Sequence, residues 1–194
     1  MIDRNLRMTT RKMVSLIEKL DLPFLLTGGV VSSYYGEPRS TQDVDIVMKI
    51  TPAQIGLANK IVELLQDDFY VNLDACREAI IEETLFQAID KETFYKVGIH
   101  VKGIVPQEFE RGVKVEIFEG FIAPVVSVED AILSKLLWIN MGSGRSRQDV
   151  VRILQNKHEM DTEYLETTAK QLGVGEILDE LKILAESNDP NIIF

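Results

Sequence analysis

Asp43 and Asp45 are separated by a single valine in a segment that continues as Ile-Val-Met. Alternate residues of a β-strand face the same side of a sheet, so a strand here presents the two carboxylates together. Two carboxylates at close range repel each other unless a cation lies between them. Mg²⁺ is a suitable cation, because it prefers oxygen ligands and often binds one or two carboxylates together with substrate phosphates; Mn²⁺ is the alternative. The spacing therefore predicts a divalent-metal site.

Two adjacent glycines, Gly28 and Gly29, precede the aspartates and follow a short apolar stretch. Glycine has no Cβ, so a phosphate can approach the backbone, and a helix over residues 30–35 would offer N–H groups at its start. A phosphate cradle and metal ligands in one stretch indicate phosphoryl or nucleotidyl transfer. Either feature alone is more often a tight turn, or a surface carboxylate pair held by a residue such as Arg39. Their order along the chain favours the functional interpretation.

The elements that must position these groups follow from apolar periodicity and turn residues. We expect a mixed α/β part over residues 1–126 and a helical part over residues 127–194. The pattern predicts helices over 10–20, 30–35 and 75–83, and one that begins at Thr51-Pro52. It predicts strands over 24–26, 44–50, 69–73, 85–89, 95–101, 113–118 and 121–126. Ser127 is the predicted N-cap of the first C-terminal helix.

Composition limits the functions that the chain can perform. Its 194 residues carry a formal net charge of −10 and one cysteine, Cys76. Proteins that coat nucleic acids are usually basic, and a small anionic substrate would need a metal or a local cluster of Lys and Arg. A single cysteine cannot form an internal disulfide, and the sequence shows neither an apolar signal region nor the ~20 apolar residues of a membrane helix. We therefore expect a cytoplasmic protein with no membrane partner.

The segment GGVVSSYYGEPRSTQDVDIVM resembles the active-site signature of the nucleotidyltransferase superfamily, in which Gly-Gly or Gly-Ser and a helix precede Asp-x-Asp. More narrowly, it is similar to the AbiEii-like and related toxin-type nucleotidyltransferases of prokaryotes, in which a Gly-x-x-Arg-x-Thr-x-Asp-x-Asp run is typical. The segments SVEDAILSKLLW, SRQDVVRIL and DTEYLETTAKQLGV resemble the helical region of that group. The resemblance covers about residues 25–178. It implies an α/β (α+β) fold with a nucleotidyltransferase-like mixed sheet, flanking helices and a C-terminal helical part.

The resemblance also implies roles for individual residues. Asp43 and Asp45 would bind the metal and be the catalytic residues. Five residues would bind the nucleotide: Gly28, Gly29, Arg39, Thr41 and Lys135. Lys135 lies in an otherwise apolar helix over residues 131–138, where a lysine is unusual, and we expect the C-terminal helices to bring it to the cleft. Three residues match the polar cluster that follows the turn after this helix: Arg145, Arg147 and Asp149. Arg147 could equally cap a helix or lie in solvent.

The chain departs from the superfamily pattern at one position. The superfamily generally has a third carboxylate on a later strand, which often serves as the general base for the attacking hydroxyl or as a shared metal ligand. Alignment of the segment FQAIDKETFYKVGIHV puts Gly98 at that position, and glycine can do neither. His100, which would face the same side of its strand, and Asp90, on the partner strand, are candidate substitutes. The alternative for His100 is an ordinary surface or half-buried histidine.

Two functions are consistent with the sequence. The first is a metal-dependent nucleotidyltransferase that passes a nucleotidyl group from an NTP to a hydroxyl of RNA, a protein or a small molecule. The resemblance implies a toxin–antitoxin or phage-defence setting for it, with a cognate partner protein. The second is a catalytically weakened protein of the same fold that binds a nucleotide or a partner in a regulatory role. The two differ at Gly98, because an efficient transferase needs another group there and a binding protein does not.

Overall fold

The computed structural model describes residues 3–187, which form a mixed α/β fold with flanking helices, as the sequence predicts. The strands are β1 (Phe24–Thr27), β2 (Asp43–Met48), β3 (Phe69–Val71), β4 (Leu85–Asp90), β5 (Lys96–His100), β6 (Val113–Phe118) and β7 (Phe121–Val125). The helices are α1 (Arg4–Ile17), α2 (Gly28–Tyr35), α3 (Leu57–Leu65), α4 (Leu73–Glu82), α5 (Glu108–Arg111), α6 (Val128–Asn140), α7 (Gly144–Gln155), α8 (Thr162–Gln171) and α9 (Gly175–Ser187). Short 3₁₀ turns cover Glu18–Leu20 and Pro52–Gln54.

The strands of the described region form one seven-stranded mixed sheet in the order β3-β4-β5-β2-β1-β7-β6. β2 pairs with β5, and β1 with β7, in parallel, while the other neighbouring pairs are antiparallel. β2 occupies the middle of this order, with β1 on one side and β5 on the other. The Asp-x-Asp segment therefore lies at the centre of the sheet, where neighbouring strands can add side chains to it from both sides.

Side-chain caps decide where two of the helices begin. Asp3 accepts a hydrogen bond from the N–H of Asn5, so α1 begins at Arg4, six residues earlier than the predicted helix over 10–20. α1 ends at Ile17, and the last residues of the predicted range form the 3₁₀ turn Glu18–Leu20. Ser127 accepts a hydrogen bond from the N–H of Asp130 at 3.1 Å and caps α6, as the sequence predicts. Such caps satisfy N–H groups that have no partner within the helix.

The C-terminal helices pack against the part of the chain that carries the glycine pair. Buried apolar side chains form one cluster that extends from Leu6 in α1 to Leu181 in α9. α6 and α7 contact each other, and both contact α2, which begins at Gly28. The division of the chain into parts before and after residue 127 stays a prediction, and residues 188–194 of the second part lie outside the described region.

Two features bear on membrane association and on cysteine chemistry. Among residues 3–187, every helix is either too short or too polar to cross a bilayer. Cys76 is fully buried, and burial raises the pKa of its thiol to about 11. A thiol with this pKa carries little thiolate at neutral pH, so Cys76 is a packing residue rather than a nucleophile.

Candidate functional site

Asp43 and Asp45 line one cleft, as strand alternation predicts. They begin β2, while Val44 and Ile46, which alternate with them, are fully buried. Asp43 is exposed, and 27% of the Asp45 side chain is exposed. Both carboxylates are therefore open to a ligand that enters the cleft.

Gly28 follows β1 directly and lies beside Asp45. Its φ of +67° is in the left-handed region, which side chains disfavour. A Cβ at residue 28 would also overlap the Asp45 carboxylate, so the glycine leaves room for that group. Thr27, the N-cap of α2, makes no side-chain capping hydrogen bond. The start of α2 therefore presents its backbone N–H groups next to the carboxylate pair, without a side-chain cap.

Gly29 leaves room for the Thr41 side chain, as Gly28 does for Asp45. A Cβ at residue 29 would overlap the Thr41 hydroxyl. That hydroxyl donates a hydrogen bond to the Asp43 carboxylate at 3.1 Å, and only 5% of Thr41 is exposed. Thr41 therefore orients Asp43, and Gly29 leaves the space in which it does so.

Gly98 and His100 extend the site onto β5. Gly98 is the register partner of Asp45, and a Cβ at residue 98 would lie 3.0 Å from Asp45 Oδ1. A carboxylate at position 98 would therefore project beside Asp45. Two residues along the strand, His100 Nε2 lies 3.9 Å from Asp45 Oδ1, and 21% of its side chain is exposed. His100 thus belongs to the cleft.

Asp90 does not belong to the cleft, and its prediction as a substitute carboxylate is wrong. Its side chain is fully buried and accepts hydrogen bonds from Thr9 Oγ1 at 2.9 Å and Lys12 Nζ at 3.0 Å, both in α1, and from the N–H of Glu92. Burial by itself raises the pKa of this carboxyl, but the bonds from Glu92, Lys12 and Thr9 outweigh it and hold the pKa below its usual range. Asp90 joins α1 to the hairpin of β4 and β5.

Arg39 and Lys135 meet at Asp149, which lies in α7. Arg39 binds the carboxylate with two nitrogens, Nε at 2.6 Å and Nη2 at 2.8 Å, and Lys135 Nζ lies 3.0 Å from it. Arg39 is therefore held by Asp149 and not by the Asp43 and Asp45 pair. Only 4% of the Asp149 side chain is exposed. Burial by itself raises its pKa, but the hydrogen bond from Arg39 and the charge of Lys135 outweigh that effect and lower it.

The cleft lies between the sheet and helices α6 and α7 and has a volume of about 300 Å³. This volume is at the lower end of the range for small-molecule sites. Lys135 and Trp138 of α6 line it, and 41% of Trp138 is exposed. Of the two arginines that follow the turn, Arg145 lines the cleft, whereas Arg147 pairs with Glu180 of α9.

Sequence reasoning missed two titratable groups in the cleft, Lys102 and Glu108, and Glu108 is the buried one. It begins α5, and only 5% of it is exposed. Burial first, and then the charge of Asp130, raise the pKa of Glu108 to about 7. The surrounding segment, residues 103–112, has no regular apolar pattern, so no signal in the sequence pointed to it. The segment also contains Ile104, which lines the cleft with Leu85 and Val47.

The donor set in the cleft fits a hard divalent cation that arrives with a nucleotide. Within residues 3–187, no group of three or more His, Cys, Asp or Glu side chains is arranged to hold a metal. The protein ligands available to a metal in the cleft are therefore the two carboxylates of Asp43 and Asp45. Mg²⁺ commonly binds one or two carboxylates and takes its remaining oxygens from water and substrate phosphates. The pair would suffice for such an ion only when a phosphate completes its shell.

Comparison with known proteins gives a likeness at the level of fold. No protein-family model and no curated protein matches the chain. An antigenic nucleotidyltransferase-like protein from Paracoccidioides brasiliensis is similar in structure, with a TM-score of 0.59 and 16% identity over 94% of this chain and 92% of that chain. The lincosamide antibiotic adenylyltransferase LnuA, in its lincomycin-bound form, has a TM-score of 0.50 and 14% identity over 78% of this chain and 96% of that chain. The chain therefore has a nucleotidyltransferase-like fold.

Proposed function

We propose that the protein is a metal-dependent nucleotidyltransferase that passes a nucleotidyl group from an NTP to a hydroxyl acceptor. One observation carries the proposal: the Asp43 and Asp45 carboxylates share a cleft with the cations of Arg39 and Lys135. Carboxylates that can hold Mg²⁺ beside cations that can hold phosphates form a complementary site for a metal–triphosphate complex.

The chain's own residues would bind and orient the nucleotide. Bound Mg²⁺, held by Asp43 and Asp45, would supply neutralisation of the phosphate charge. The N–H groups at the start of α2 would bind a phosphate, because backbone N–H groups and the helix dipole both favour an anion there. Arg39 and Lys135 would add positive charge, of which the Asp149 carboxylate offsets one unit. Asp149 fixes both of these side chains before the nucleotide arrives.

The cleft also offers a surface for the base. Trp138 lines it with an exposed ring, and stacking of a base on an aromatic ring is worth about 1–3 kcal/mol. The stacking is tolerant of base identity, so Trp138 does not fix the choice of NTP.

The acceptor that fits best is a small molecule. A net charge of −10 disfavours long contacts with RNA, and a cleft of about 300 Å³ fits a small ligand better than a folded protein surface. The narrower assignment, an AbiEii-like or toxin-type enzyme of the cytoplasm with a cognate partner protein, is supported by the motif run from Gly36 to Asp45. That run matches the pattern typical of the group.

One observation favours a second function, a catalytically weakened protein that binds a nucleotide in a regulatory role. Gly98 lies beside Asp45 and has no side chain with which to act as a base or a ligand. The second function retains the nucleotide site and lacks turnover. Nucleotide binding is common to both functions, and it is therefore the property to test first.

The test is titration of the protein with a nonhydrolysable NTP, with and without Mg²⁺. Trp138 is the only tryptophan of the chain and lies in the cleft, so its fluorescence reports binding, and calorimetry gives the affinity independently. We expect Mg²⁺-dependent binding in the wild type and its loss in Asp43→Asn and Asp45→Asn, with little change in stability.

Asp74→Asn is the matched control, because Asp74 lies on the surface of α4 with 92% of its side chain exposed. It should bind as the wild type does. Equal NTP affinity in the wild type and both cleft variants, with and without Mg²⁺, would leave the carboxylate pair with no metal role and would contradict the proposal.

A further inference from the structure

Glu108 occupies a defined place at one end of the cleft. A Cβ at Gly103 would overlap its carboxylate, so the absence of a side chain at Gly103 gives the carboxylate its room. Two residues further along α5, Glu110 Oε1 lies 3.0 Å from Nζ of Lys49, which directly follows β2. α5 therefore lies at the end of β2 opposite to Asp43.

Strand register orders the cleft between these two ends. Asp45 pairs with Gly98, and two residues along the strands Val47 pairs with His100, which itself pairs with Leu85 on β4. Two residues of a strand span about 7 Å, so the second row lies about 7 Å from the first. The glycine turn and Asp43 lie beside the first row, and Glu108 lies beyond the second. Whatever binds between the rows has the carboxylate pair on one side and Glu108 on the other.

The carboxyl of Glu108 has an unused hydrogen-bonding atom. Oε1 is buried and has no hydrogen-bond partner among residues 3–187. A buried acceptor without a partner costs about 1–3 kcal/mol, so the carboxylate would be stabilised by taking up a proton or by turning this oxygen towards a donor in the cleft that Glu108 lines. Leu85 and Ile104, which line the same cleft, are exposed apolar side chains that would exclude water once a ligand is bound. An O–H group of a bound molecule is a suitable donor.

The charged groups around Glu108 come from several elements. Asp130 of α6 and Glu110 of α5 raise the pKa of Glu108, while the N–H of Val105 lowers it, and burial dominates. Lys102 and His100 line the same cleft, and Lys102 pairs with Glu83 at 2.6 Å. The resulting pKa of about 7 is that of a carboxylate which can both take up and release a proton near neutral pH.

We propose that Glu108 is the catalytic proton acceptor for the attacking hydroxyl, and that it performs the work of the carboxylate missing at Gly98. The inference rests on the proposed nucleotidyl transfer. The acceptor O–H bond breaks and its proton passes to the Glu108 carboxylate, while the acceptor oxygen forms a bond to the α-phosphorus. The bond from the α-phosphorus to the bridging oxygen breaks, and pyrophosphate leaves with that electron pair. Glu108 then returns the proton to water.

His100 is the competing candidate, and its geometry is less suitable. Its Nε2 lies 3.9 Å from Asp45 Oδ1, so the ring faces a carboxylate of the metal pair. Glu108 has an oxygen without a partner, on the side of the His100 row away from Asp43.

The experiment measures pyrophosphate release from each of the four Mg²⁺–NTP complexes, with water and with molar glycerol as hydroxyl acceptors, between pH 5.5 and pH 9. We expect wild-type release to rise with pH through about 7 and then to level off. Glu108→Gln should lower release by about 10²–10⁴-fold and abolish that rise. Glu108→Asp, which keeps a carboxylate, should retain more activity than Glu108→Gln and also covers the case in which Gln prevents folding.

Glu110→Gln is the control for a change on the surface of the same helix, and it should leave the rate at high pH unchanged. Because the charge of Glu110 raises the pKa of Glu108, this variant should keep the rise with pH and move it to slightly lower pH. Mg²⁺–NTP affinity, measured by Trp138 fluorescence, should be equal in the wild type and Glu108→Gln. Absence of NTP binding in the wild type would overturn the proposed function. Two outcomes would overturn the role of Glu108 as proton acceptor while leaving nucleotide binding intact. One is NTP binding without pyrophosphate release to either acceptor, and the other is a wild-type rate and pH profile in Glu108→Gln.

Discussion

The Asp45 carboxylate occupies the space into which a side chain at Gly28 would project. The contact joins the glycine turn after β1 to the carboxylate pair at the start of β2, two strands that are paired in antiparallel register. Thr27, the residue before the turn, is the register partner of Asp45. The position of the carboxylate therefore depends on the absence of a Cβ at residue 28.

Gly28→Ala should abolish Mg²⁺–NTP binding. The variant combines a left-handed backbone, which costs an alanine about 1–2 kcal/mol, with an overlap that must displace Asp45. Gly120→Ala is the matched control, since Gly120 has a φ of +66°, close to the +67° of Gly28, and a Cβ added to it would meet no heavy atom within 4 Å. Thermal melting should show a loss in both variants, whereas titration should show loss of binding only in Gly28→Ala. Retained binding in Gly28→Ala would mean that the turn does not set the position of Asp45.

Gly98→Asp should create a metal site that does not need a nucleotide. The new carboxylate would begin 3.0 Å from Asp45 Oδ1, so without a cation the two groups repel each other and the melting temperature should fall. Mg²⁺ or Mn²⁺ should restore it, and calorimetry should show metal binding at least about tenfold tighter than in the wild type. Gly98→Ala tests the steric part alone and should show no metal response. Equal metal affinity in Gly98→Asp and the wild type would contradict this geometry.

The sequence predicted those parts of the site that depend on local rules. Strand alternation placed Asp43 and Asp45 on one side, and the capping pattern located Ser127 at the start of α6. Both rules act over a few residues and need no knowledge of the rest of the chain. The motif order likewise indicated that the glycine pair lies beside the aspartates.

The parts that the sequence did not predict depend on contacts between distant segments. Asp149 meets Arg39 across 110 positions of the chain, and Asp90 meets Thr9 across 81. The second contact explains why Asp90 cannot act in the cleft, although its hairpin partner strand carries His100. Glu108 lies in a segment without periodicity, and its buried position follows from the packing of α5 and α6 rather than from its neighbours in sequence. Only tertiary structure can assign such residues.

Asp149→Asn should destabilise the protein by about 3 kcal/mol at pH 7, because it leaves Arg39 and Lys135 without their anionic partner. The pKa of Asp149 is lowered in the folded protein, so its contribution is present above the unfolded pKa of about 4 and is lost as pH falls through the folded pKa. The difference between the wild type and the variant, from urea denaturation, should therefore shrink in acid.

The control for Asp149 is Glu37→Gln. Glu37 pairs with Arg152 of α7 at 3.2 Å on the surface, with 60% of its side chain exposed. Exposed ion pairs contribute about 0–1 kcal/mol, so this variant should change the free energy of unfolding little. A loss for Asp149→Asn no larger than that of Glu37→Gln would show that Asp149 does not hold the two cations together.

The pKa of Glu108 predicts how stability depends on pH. In the folded protein this pKa is raised from 4.5 to about 7, so the folded state holds a proton that the unfolded state has released between these values. The contribution of Glu108 is therefore complete below about pH 4.5 and is lost as pH rises through about 7. Glu108→Gln is neutral throughout and lacks this loss, so its stability relative to the wild type should increase across that window. The increase should be at most about 3.5 kcal/mol, since a tenfold change in proton affinity is worth about 1.4 kcal/mol. Urea denaturation of both proteins from pH 4.5 to 8 measures the difference, and groups that titrate alike in the two proteins cancel. A difference that stays constant with pH would show that Glu108 titrates as an ordinary surface carboxyl, and it would remove the proton-binding property that suits it to accept the hydroxyl proton.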